Sequence, residues 1–300
     1  MSPPQPLRRR SSALRSSRIS GGDDLTTPPP RLADPLLDQA VRSLAARLAR
    51  LSPDPSRVAQ RRDELRAFIL RASPRINRPN FTHLDERDLQ LLFTLTDLSF
   101  FAGGLAAVTR QAPGRSLAFR VSSRLTRAAG KTSSLQTPPS PGQPGSMRFE
   151  IAISATLLLE SFHEPNAPPI LVCGCPCGDR LDALMRVFEH EMIHLVEFAI
   201  WGRSSCARPR FRDLARRVFD HVGFHHDLVT PREAARRRHA IRIGDRVKFH
   251  YEGRTLRGRV SRITRRATVL VADPAGHLYS DGQHYIRYYV PVDRLQSDPS

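Results

Sequence analysis

The stretch GDRLDALMRVFEHEMIHLVEFAIWG, residues 178 to 202, limits the fold of this 300-residue chain more than any other. Leu181, Leu184, Met185, Phe188, Leu195 and Ala199 recur at helical spacing. Asp179 stands where an N-cap accepts backbone N–H groups, and Gly202 is a stop. This is the strongest helix signal in the sequence, and most of its faces are to be buried. A 40% hydrophobic content is enough to build a core around it.

The same helix carries His-Glu-x-x-His. His190 and His194 are four residues apart, so both imidazoles project from one face about one turn apart, which suits capture of a tetrahedral Zn2+ ion. Glu191 points beside such a metal, where a carboxylate serves as general base toward an activated water and returns the proton to a leaving amine. The reaction these residues predict is peptide hydrolysis on protein substrates, with Glu191 as the catalytic residue. The plainer alternative makes both histidines ordinary helix residues, one at the surface and one in the core.

Around this helix the chain changes character several times. Residues 1–34 are rich in Pro, Ser, Arg and Gly and read as a disordered basic tail. Residues 36–52, 57–72 and 85–101 read as helices, LAFRVSSRLT and MRFEIAIS alternate as strands, ATLLLESF is a short helix and PPILVC another strand. AAGKTSS, at 128–134, resembles the end of a phosphate-binding loop, but Leu125 stands where that loop needs glycine, so no nucleotide cofactor is expected. From Ile241, short strands at spacings of about ten residues predict a small all-β barrel or sandwich. The fold class is α+β, with one domain over 35–228, a charged helix or linker at 229–240 and the β unit over 241–296.

The run from FRVSSRLT through FEIAIS, LLLESF, PPILVC and DRLDALMRVFEHEMIH to FRDLARRVF resembles the SprT-like zinc metalloprotease family, to which the Spartan DNA-dependent proteases also belong. The resemblance covers about residues 85–226. It implies a zincin-like fold and metal-dependent proteolysis, in the Spartan branch directed at proteins crosslinked to DNA. The family pattern also supplies a third ligand, a histidine followed by glycine four residues before a phenylalanine. That phenylalanine matches Phe211, and Ala207 and Arg208 occupy the His-Gly positions, so the expected histidine is absent. Cys206, one residue away, is the candidate replacement, since a thiolate binds zinc at about 2.3 Å. Glu197, His221, His225 and His226 are the other candidates.

Cys173, Cys175 and Cys177 in CGCPCG read as a buried strand end, with a redox or second metal role as the sharper option. The formal charge of +18 comes almost wholly from arginine. Residues 232–298 hold 15 basic and 7 acidic side chains, and Arg254, Arg257, Arg259, Arg262, Arg265 and Arg266 crowd into two strands and their turn. With Phe249 and five tyrosines interleaved, these arginines point to nucleic acid, DNA first, in a unit similar to SH3-like barrels of the Tudor or KOW kind. Neither a membrane span nor a signal peptide is visible, so the expected location is the cytoplasm, nucleoid-associated if DNA is the partner. The rival reading is a non-catalytic nucleic-acid-binding protein whose first domain keeps a structural metal or none.

Overall fold

A computed structural model describes Leu25 and residues 27–141, 145–162 and 169–298, in two units that divide between Leu228 and Val229. The chain is mixed α+β. Among the described residues no single helix is long and apolar enough to cross a membrane.

The first unit opens with helices α1 (Pro35–Ala49), α2 (Pro55–Ala72) and α3 (Glu86–Thr96), each entered through an aspartate cap, Asp34, Asp54 or Asp85. Helix α3 runs on to Phe101 in wider turns, and α4 (Gly104–Ala106) follows the Gly103 break. Strands β1 (Arg115–Ser122), β2 (Gly130–Thr137) and β3 (Ser146–Ser154) form a sheet in the order β1-β3-β2, with β1 parallel and β2 antiparallel to β3. Strand β2 occupies the segment whose only sequence signal is a false phosphate loop. It escapes a hydrophobic pattern search because GKTSSLQT is polar, as an edge strand can afford to be.

Helix α5 (Ala155–Glu160) and the hairpin β4 (Ile170–Val172) and β5 (Cys175–Cys177) lead into α6 (Arg180–Trp201). Asp179 caps α6 by accepting from the backbone N–H groups of Leu181 and Asp182, while Arg66 on α2 grips Asp179 at 2.6 Å and Asp182 at 2.7 Å. Gly202, at φ 70°, ends the helix and turns the chain toward α7 (Pro209–Phe219). Helix α6 is buried almost all round, so it is the axis on which the other elements of the unit pack.

Most of the expected tail, residues 1–24 and 26, lies outside the described residues. Its described end packs on the first unit: the Trp201 indole N–H donates to the Thr27 carbonyl oxygen at 2.9 Å, and Leu25 and Leu32 lie against the core. Apolar anchors at these two leucines, too sparse to register in composition, tie that end down.

The second unit begins with α8 (Pro231–His239), capped by Thr230 and Glu233 in a reciprocal box. Of the two options that the sequence leaves open here, a charged helix or a linker, the chain takes the helix, and its Ala235 enters the core of the β unit. Strands β6 (Arg246–Tyr251), β7 (Arg254–Ile263), β8 (Ala267–Leu278), β9 (His284–Val290) and β10 (Gln296–Ser297) make one antiparallel sheet in the order β10-β6-β7-β8-β9. Val247, Phe249, Val260 and Val269 fill the inner side, so the alternate positions face outward.

Candidate functional site

Helix α6 sets His190, Glu191 and His194 on the wall of a cavity of about 500 Å³, together with Cys206, Thr132, Phe198 and Phe224. The two imidazoles meet edge to face, with their Nε2 atoms 3.2 Å apart. Cys206, in the loop between α6 and α7, completes a group in which one donor atom from each residue lies within 4.8 Å of the others.

Tetrahedral zinc with bonds of about 2.0–2.1 Å to nitrogen and 2.3 Å to sulfur requires N–N edges near 3.3 Å and N–S edges near 3.6 Å. The histidine pair already has that spacing, and the thiol closes on it by up to about 1.2 Å. The donor set therefore fits a metal ion. Phe211, fully buried on α7, backs both rings at centroid distances of 4.8 and 4.4 Å, so the first turn of α7 holds the pair from behind.

Hydrogen bonds determine which nitrogen of His194 is free to bind a metal. Ser204 Oγ donates to Glu197 Oε2 at 2.6 Å and stands 2.6 Å from His194 Nδ1. With its own proton committed to the carboxylate, Ser204 accepts from Nδ1–H, which leaves the Nε2 lone pair toward His190 and Cys206. Glu197 is held in turn by Arg210 Nε at 2.8 Å and the Ser205 N–H at 3.2 Å, and the Arg210 guanidinium lies 4.4 Å over the Trp201 ring. Behind His190, the Cys173 thiol sits 3.6 Å from Nδ1.

Burial pushes His190 down to about 3, with the neighbouring His194 adding to the effect, and pushes His194 down to about 4. Both rings are thus neutral near pH 7, as a metal ligand must be. Burial pushes the Cys206 thiol up, so a thiolate there depends on a cation taking the place of its proton.

Glu191 is buried beside this group, and its carboxyl is pushed up to about 7 by desolvation. Thr132 on β2 donates to Glu191 Oε2 at 2.7 Å. Gly130 opens the same strand because a β-carbon there would stand 2.6 Å from Glu191 Cγ and Oε1. A carboxyl poised near neutrality, held by the side chain and backbone of Thr132 and placed beside three donors, is equipped to move protons.

Of the other candidate ligands, three are engaged elsewhere. Glu197 serves Ser204 and Arg210. His221 is buried against Glu189, with Nε2 2.8 Å from Oε2, and His226 Nε2 accepts from the Ala129 N–H at 3.1 Å. His225 is exposed and lines the cavity outside the metal group. The three CGCPCG cysteines form no metal cluster among the described residues; Cys173 and Cys177 are buried and Cys175 is half-buried. Sequence reasoning missed Thr132, Gly130, Ser204 and Arg210. Only the unusual GKTSS run gave a signal for the first two, and nothing pointed to the others.

In the second unit the six arginines do not form one cluster. Arg257, Arg259 and Arg262 face outward on β7; Arg254 pairs across the hairpin end with Tyr251, on the side that carries Phe249 and Tyr288. Arg265 and Arg266 lie in the turn between β7 and β8. Phe249 is core, and Tyr279 is also buried.

Comparison with known proteins gives no match for this chain, whether to a family model, a curated protein or a solved structure.

Proposed function

We propose that the chain is a zinc-dependent endopeptidase with a zincin-like first unit, directed at proteins associated with or crosslinked to DNA, and that its SH3-like second unit holds the nucleic acid. The observation that carries the peptidase reading is the placement of Glu191 next to a three-donor group that opens into a cavity. Structural zinc sites close with four protein ligands, whereas catalytic ones keep a position open.

His190, His194 and Cys206 would hold the zinc ion. Bound there, zinc acidifies water and polarises a carbonyl group, somewhat less strongly with a thiolate ligand than with a third imidazole. Glu191 accepts the proton that water loses on attacking the peptide carbonyl and delivers it to the departing amine. Thr132 orients the carboxylate for both transfers. Among the described residues strand β2 pairs with β3 along one edge only, so its other edge offers backbone groups that can align an extended substrate.

The test is hydrolysis of an unfolded protein by the purified full chain, measured beside its zinc content. Glu191→Ala should abolish cleavage and keep the metal. Unchanged cleavage in that variant would sink the enzymatic reading and leave the rival of a metal-bearing nucleic-acid binder.

A further inference from the structure

The outward face of the five-stranded sheet carries like charges directly opposite one another. In the β6–β7 register Arg246 faces Arg259 and Lys248 faces Arg257, two consecutive cation pairs on the side away from Val247 and Phe249. The row through Arg259 continues across Leu270 to Arg287, and the row through Arg262 crosses Thr268 to Tyr289. Opposed like charges destabilise a sheet, and the Leu270 side chain in the Arg259 row is buried on this same face between Arg259 and Arg287. Asp298 meets Arg257 at 3.4 Å, at the end of the face where β10 joins. Tyr289, 62% accessible, stands on β9 at the end of the Arg262 row and two residues from Arg287 on the same side of the strand.

We propose that this face binds single-stranded nucleic acid, with phosphates along Lys248, Arg257, Arg259 and Arg262 and a base stacked on Tyr289. Rows of cations one strand apart match a flexible polyanion, and an exposed aromatic ring flush with them serves an unpaired base, which a duplex does not present. Naming the partner and its contact surface in this way rests on the proposed function, although the binding itself stands on the second unit alone.

The experiment is fluorescence anisotropy of a labelled oligothymidine of about 16 nucleotides with the full chain, over a range of salt concentrations. Lys248→Gln/Arg259→Gln/Arg262→Gln should lower the log–log salt slope by about 2, at about 0.7 for each phosphate left without its cation. Tyr289→Ala should weaken binding about tenfold with little change of slope. Arg254→Gln, on the other side of the sheet, should bind as the parent does. The triple variant should melt no lower than the parent, because it relieves repulsion.

The proposal is overturned if the triple variant keeps its affinity and slope, if Arg254→Gln loses as much, or if the matching duplex binds more tightly than the single strand. It is also overturned if phosphatidylserine vesicles bind equally well without regard to Tyr289. Glu191→Ala in the same assay separates the two readings: it should lose cleavage and retain the oligonucleotide.

Discussion

Ser204→Ala removes the hydroxyl that links His194 to Glu197 without touching a metal ligand. In the parent, Nδ1–H of His194 donates to Ser204 Oγ and Ser204 donates to Glu197, both at 2.6 Å, which leaves the Nε2 lone pair available to a metal. Without the hydroxyl, His194 is free to take the other tautomer or to turn, and the ligand is available in only part of the population. Loss of such an outer partner typically costs 10–100-fold in metal affinity, or about 1.4–2.7 kcal/mol. Glu197 keeps Arg210 at 2.8 Å and the Ser205 N–H, so the fold should be little affected. Competition between the purified chain and a chromophoric chelator gives the zinc dissociation constant directly, and Ser204→Thr, which restores the hydroxyl, should recover most of the loss. An unchanged constant in Ser204→Ala would refute the argument that this relay sets the tautomer.

Three further outcomes follow from the same geometry. Gly130→Ala places a β-carbon 2.6 Å from Glu191 Cγ and Oε1, so it should cut kcat at least tenfold while zinc content, read by metal analysis, stays at the parent level. Arg62→Met takes from the buried Glu189 carboxylate its 2.9 Å partner and leaves it His221 and the more distant Arg186, so the loss should fall at the lower end of the range for breaking a buried pair, about 3 kcal/mol, which a thermal melt should show as a fall of roughly 6–10 °C. Chelation should abolish cleavage and lower the melting temperature together, and added Zn2+ should restore both, because the metal binds only the folded arrangement of His190, His194 and Cys206.

The parts that were legible in the sequence are those where one segment carries its own signal. Helix α6 could be read because its caps, its period and its two histidines all lie within 25 residues. Strand β3 could be read because Phe149, Ile151 and Ile153 alternate toward the core. Cys206 was readable as a candidate because the family resemblance puts the missing histidine at Ala207, one residue away, and a thiolate is a good zinc ligand. What brings it to the histidines is Phe211, whose burial against both rings fixes the start of α7.

Strand β2 was not legible, because its polar residues contact a carboxylate 59 positions away rather than a hydrophobic layer. The Ser204–Glu197–Arg210 relay was hidden for the same reason, since it depends on a loop folding back over a helix face. In the second unit the arginine count was readable but the register was not. It divides six neighbouring arginines between two sides of a sheet and a turn, and adds Arg246, Lys248 and Arg287 to one of those sides.

In the proposed function two histidines and one cysteine, His190, His194 and Cys206, hold a zinc ion. X-ray absorption at the zinc edge of the purified chain tests it most directly. The parent should show one sulfur near 2.3 Å with nitrogen or oxygen neighbours at about 2.0–2.1 Å, and Cys206→Ala should show no sulfur. A zinc spectrum lacking sulfur in the parent chain, or one whose sulfur persists after Cys206→Ala, would contradict it.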